Sequence, residues 1–100
     1  MNVIPFEAYT HRATNTVRDF MNDYGSELAS LLVFVAGETG LDAFEDAISA
    51  LEGVEADLPA LCDAIDRMAA MFVEACRPGS SWNAAFLSLG GRLTELRYEL

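Results

Sequence analysis

The side chains able to do chemistry in this chain are few and poorly grouped. His11 is the only histidine, and Glu7 precedes it by four residues, one turn of a helix. Such a pair can share a metal or pass a proton, but a closed metal site takes three or four ligands. The expected role of His11 is a surface or partly packed side chain. Ser26, Ser30, Ser49, Ser80, Ser81 and Ser88 lack a GxSxG elbow, and the lone histidine is not near any of them in sequence. Cys62 and Cys76 are fourteen residues apart on one proposed helix, a separation of roughly 20 Å that no disulfide spans. Their place on its apolar face argues for small buried hydrophobes in a reducing compartment and against an activated thiolate.

Glycine and acidic motifs are no more chemical. Gly37-Glu38-Thr39-Gly40 lacks the spacing and the Lys-Ser/Thr of a phosphate-binding loop, and Gly90-Gly91 follows a helical pattern instead of a strand. No segment offers alternating acidic ligands with a central glycine and a terminal glutamate, so no calcium loop is present. The chain is therefore expected to be no enzyme and to need no cofactor or metal.

Charge is the feature that ordinary packing does not explain. Sixteen carboxylates stand against six basic residues, all arginine, for a formal charge of -10. Asp19, Asp23, Glu27, Glu38, Asp42, Glu45, Asp46, Glu52, Glu55, Asp57, Asp63 and Asp66 follow one another without an intervening arginine. Read along the chain, those twelve charges are uncompensated. If one helix carries Asp19, Asp23 and Glu27, they stack at i,i+4 and repel by a few tenths of a kcal/mol per pair. Spread over a face about 30 Å across, the charges approach the density of duplex DNA, about one per 1.7 Å of its axis. Free nucleic acid and anionic membranes are repelled, and basic partners are attracted. The bland alternative is that the acid only keeps a small protein soluble.

The elements that would position these groups read as helices throughout. One hundred residues, about half of them apolar, form a single acidic domain able to bury a core. The organising stretch is 57–77, where Leu58, Leu61, Cys62, Ile65, Met68, Ala69, Phe72, Val73 and Cys76 recur at helical spacing with Asp57 as N-cap. Before it, residues 5–36 form either one bent helix or two that part at Gly25-Ser26, since the rhythm Val17, Phe20, Met21, Tyr24, Leu28, Leu31, Leu32, Val35 runs through that pair. A short strand at 31–35 is the alternative. Gly37 suits a C-terminal cap, and Thr39 a cap for the next helix, with Leu41, Phe44, Ile48 and Leu51 inward. After Pro78-Gly79, capped by Ser80 or Ser81, the seam Trp82, Phe86, Leu89, Leu93, Leu96, Leu100 packs on the 58–76 stripe or on a partner subunit. Gly90-Gly91 in that seam marks a kink or a close helix approach.

The expected fold is all-α, a compact bundle of four to five helices around a central helix at about 57–77. The expected function is that of a small acidic inhibitor or adaptor docking on a basic surface of a partner protein, including a nucleic-acid-binding groove. Asp19, Asp23, Glu27, Asp42, Glu45, Asp46, Glu52, Glu55 and Asp57 would carry recognition, with Tyr9, Tyr24, Trp82 and Tyr98 as candidate anchors. The second reading is a homo-oligomeric helical module, a homodimer through 82–100, whose acid only confers solubility. MNVIPFEAYTH lacks the basic and apolar character of a signal, and no apolar run spans a bilayer, which gives a cytoplasmic expectation.

Overall fold

Helix α1 (Phe6–Ala36) runs unbroken through Gly25-Ser26 in the computed structural model, which describes residues 6–52 and 55–100, with side chains from residue 12 onward. Its inward row decides between one helix and two: Ala13, Val17, Leu28 and Leu32 are buried, with Met21 and Tyr24 partly so between them. A break at Gly25 would turn part of that row away from the core. Residues 31–35, the possible strand, lie within this helix. Gly25 occupies a helical position where an added Cβ would meet only the Met21 Cβ, 4.0 Å away. Gly25→Ala should therefore stabilise the fold by about 0.5–1 kcal/mol, read from a denaturant titration.

A single residue joins α1 to α2 (Glu38–Leu51). Gly37 adopts φ 59° and ψ -133°, and its N–H donates to the Val33 carbonyl at 2.8 Å, closing α1 as the sequence led one to expect. An L side chain is strained there, which is why glycine holds the position. Thr39 caps nothing: α2 has already begun at Glu38, so Thr39 falls inside it.

The inward face of α2 also differs from expectation. Gly40, Ala43, Ala47, Ala50 and Leu51 are buried, whereas Leu41 is 37% exposed and Phe44 and Ile48 lie only partly covered. The cause is the one-residue turn, which brings α1 and α2 together so closely that small residues must line the contact. A Cβ on Gly40 would overlap the Leu32 carbonyl group and come within 3.1 Å of the Leu32 Cβ.

Helix α3 (Leu58–Ala75) takes the central place predicted for it, touching each of the other three. The Asp57 carboxylate accepts from the Ala60 N–H at 3.1 Å, and Pro59 sits in the first turn, where its missing donor costs nothing. Leu61, Ala64, Ile65, Met68 and Phe72 are buried. Five expected members of the stripe are not, Leu58 and Ala69 being half-buried. Val73 is 62% exposed, and Cys76 lies past the helix end, half-buried with its thiol donating to the Phe72 carbonyl. Cys62 is likewise half-buried and free.

Helix α4 (Asn83–Tyr98) buries Phe86, Leu89, Leu93 and Leu96 against the core, so the seam packs within the chain. The helix continues through both Gly90 and Gly91, and a side chain at either would meet at most ordinary van der Waals contact. Gly90 is buried, with a virtual Cβ 3.5 Å from the Phe72 Cβ, while nothing lies within 4 Å of Gly91. Neither Ser80 nor Ser81 caps the helix by the usual geometry. Ser80 Oγ instead accepts the N–H of Trp82, the residue before the helix, at 3.2 Å.

Candidate functional site

All nine acids expected to carry recognition are exposed, but the helices divide them. Asp19, Asp23 and Glu27 follow one another at single turns on the side of α1 that meets α4. Asp23 lines a groove there with Tyr24, Arg92, Glu95 and Glu99. Asp42 and Glu45 share α2 with Asp46, which accepts a 2.9 Å bond from Arg67 of α3. Glu52, Glu55 and Asp57 surround the α2–α3 connection. No single face carries the set.

The acid is also less uncompensated than its order along the chain implies. Arg67 bridges Asp46 at 2.9 Å and Asp63 at 3.0 Å, and Arg97 pairs with Asp66 at 3.3 Å. The hydrogen bond to Asp46 is the leading cause that raises Arg67 above its ordinary range, so it stays charged at any working pH. The Asp63–Arg67 pair is the i,i+4 pair that the sequence offers, while the bonds of Arg67 to Asp46 and of Arg97 to Asp66 join different helices. Among the described residues, Asp19, Asp23, Glu27, Asp42, Glu45, Glu52 and Glu55 form no ion pair.

Three of the remaining arginines make contacts within the fold, and Arg12 is exposed. Arg18 donates to the Leu51 carbonyl at 2.9 Å, and Arg77 to the Glu74 and Cys76 carbonyls at 2.6 and 2.9 Å. Each places a cation at a helix C-terminus, where the backbone is partially negative and neither α2 nor α3 has a basic residue in its last turn. Arg92 covers Tyr24, its guanidinium 4.7 Å from the ring centroid and 2.9 Å from the hydroxyl. Tyr24 is therefore occupied as an anchor.

Another aromatic is exposed on α1. Phe34 is 60% exposed and packs, tilted, at 4.9 Å against Trp82, itself 48% exposed and lying 6.1 Å from Phe86. Two reciprocal bonds hold the turn that presents Trp82. The Arg77 N–H donates to Asn83 Oδ1 at 3.0 Å, and Asn83 Nδ2 donates to the Arg77 carbonyl at 2.7 Å. The apolar rhythm of α1 passed over Phe34, yet the signal was in the sequence. Phe34 follows Asp23 by eleven residues and Glu27 by seven, so it shares the polar face of α1. Two turns, about 10 Å, separate Glu27 from Phe34. The resulting stripe runs from three unpaired carboxylates to an exposed aromatic pair.

Trp82 and Tyr98 are exposed, as anchors require. The side chains of Glu7, Tyr9 and His11 lie outside those described. Among the described residues, no three or more histidine, cysteine or acidic side chains group as a metal site would need, and no helix is long and apolar enough to cross a membrane. Compared with known proteins, the chain matches no family model, no curated protein and no solved structure.

Proposed function

We propose that the protein is a cytoplasmic acidic binding module, an inhibitor or adaptor that docks the α1 stripe on a basic surface of a partner protein. The observation that carries this reading is the continuity of Asp19, Asp23 and Glu27 with the Phe34–Trp82 pair. Carboxylates without internal partners raise the rate of encounter with a cationic surface. An exposed aromatic pair beside them supplies the desolvated contact that charge alone lacks.

Spacing narrows the partner. One carboxylate per turn is one charge per roughly 6 Å, much sparser than the one per 1.7 Å of a DNA duplex. The row suits discrete arginine and lysine side chains about one helical turn apart better than a groove that tracks every phosphate. Nucleic-acid-binding proteins remain within the class of target, through individual basic elements.

The test is capture from cell lysate on immobilised wild-type protein and on the Asp19→Lys/Asp23→Lys/Glu27→Lys variant. The wild type should retain basic proteins that elute between about 0.1 and 0.5 M salt, where screening removes long-range attraction. The variant should lose them. Retention of the same proteins by both would count against the stripe.

A further inference from the structure

The groove between α1 and α4 is acidic along both of its sides. Asp23 stands on the α1 side, and Glu95 and Glu99, one turn apart, stand on the α4 side, around a hollow of about 220 Å³. Asp19 and Glu27 extend the α1 rim by one turn in each direction. Between the rims the lining is largely apolar: half-buried Phe20 and Tyr24, their rings 5.1 Å apart, and buried Leu96. None of the five carboxylates forms an ion pair among the described residues. Arg92, the cation in the lining, is held over the Tyr24 ring and leaves the acids on both rims unpaired.

We infer that this groove seats a basic amphipathic helix of the partner protein, with apolar side chains turned toward Phe20 and Leu96 and arginine or lysine along both flanks. The inference rests on the reading of α1 as a docking surface and makes α4 its second half. Charge complementarity selects the occupant. The lining holds three carboxylates against one guanidinium, so a second copy of this chain, at -10, is repelled. A wholly apolar segment would strip water from the rims without giving those carboxylates a partner, which costs free energy.

The two-rimmed shape selects a helix. A helix laid along the groove repeats its flanking cations once per turn, about 5.4 Å, the interval at which the carboxylates recur on each rim. Its positions i, i+3, i+4 and i+7 form an apolar row between those flanks, facing the lining. An extended segment directs its side chains to only two sides, which leaves none for the lining once both rims are met.

Two synthetic peptides of about 18 residues, five helical turns, serve as probes. One carries leucine on one face and arginine on both flanks of it, and the other has the same composition in scrambled order. Binding to the pure protein is read by fluorescence anisotropy at about 0.15 M salt. The patterned peptide should bind about tenfold tighter or more than the scrambled one. Glu95→Gln/Glu99→Gln should weaken the patterned peptide by about fivefold or more, with circular dichroism unchanged because both side chains are exposed. Arg92→Gln, which removes the cation from the lining, should tighten it by about twofold or more. Equal affinity for the two peptides, an α4 double variant that binds as the wild type does, or no gain from Arg92→Gln overturns the proposal. Binding that depends on Asp19, Asp23 and Glu27 but not on Glu95 and Glu99 strikes this inference and leaves the α1 reading standing. Binding that ignores the α1 acids as well strikes both.

Discussion

Gly40→Ala should destabilise the protein by about 3 kcal/mol, against the sign that helix propensity alone gives. In an unhindered helix interior, alanine for glycine gains about 1 kcal/mol. Here the new methyl group would overlap the Leu32 carbonyl, and backbone cannot step aside as a flexible side chain can. The one-residue connection through Gly37 leaves α1 and α2 little freedom to separate. Thermal melting monitored by circular dichroism reads the effect, at about 4–8 °C per kcal/mol for a domain near this size. Gly25→Ala provides the contrast, since the same substitution at an open position should raise the melting temperature. A neutral or stabilising result at Gly40 would show that the helices are not in the contact described.

Phe72→Ala should cost about 3–5 kcal/mol, a large share of the 5–15 kcal/mol that keeps a typical domain folded. Phe72 is wholly buried, stacks on Phe86 at 6.0 Å and lies against Gly90 of α4. Removing the ring leaves a cavity that the packed helices around it fill only in part. Val73→Ala, one residue along, should change stability by only about 0.5 kcal/mol, since that side chain faces solvent. Denaturant titration of the pair fixes the rotation of α3. Equal losses at both positions would contradict it.

How far the sequence reached depends on which interactions set each feature. Period and caps are local, so the all-helical fold, the central helix with its Asp57 cap and the closure of α1 at Gly37 could be read directly. The rotation of α2 could not. A pattern scan gives weight to Leu41, Phe44 and Ile48, whereas the close approach across Gly40 selects Ala43, Ala47 and Ala50 for burial. Val73 was misjudged for a related reason: it borders the stripe of α3, and only the position of α4 shows which border residues are covered.

Charge pairing is also partly non-local. The Asp63–Arg67 pair at i,i+4 was legible in the sequence, whereas Arg67 to Asp46 and Arg97 to Asp66 reach across helix contacts. The candidate site was half legible. Asp19, Asp23 and Glu27 were identified from spacing, whereas Phe34 was hidden among Leu31, Leu32, Val33 and Val35 in an apolar run. Only its place on the polar side of α1, against Trp82, marks it as surface.

The most direct measurement of the central claim is the rate at which wild-type protein, the Asp19→Lys/Asp23→Lys/Glu27→Lys variant and Phe34→Ser bind the purified captured partner across a salt series. Wild-type association should slow steeply with salt, and the triple variant should associate slowly with little salt dependence. Phe34→Ser should keep the wild-type association rate and its salt slope but dissociate about tenfold faster or more, as loss of a desolvated anchor requires. Salt-independent association of the wild type, or a triple variant that binds as the wild type does, would contradict docking through the α1 stripe.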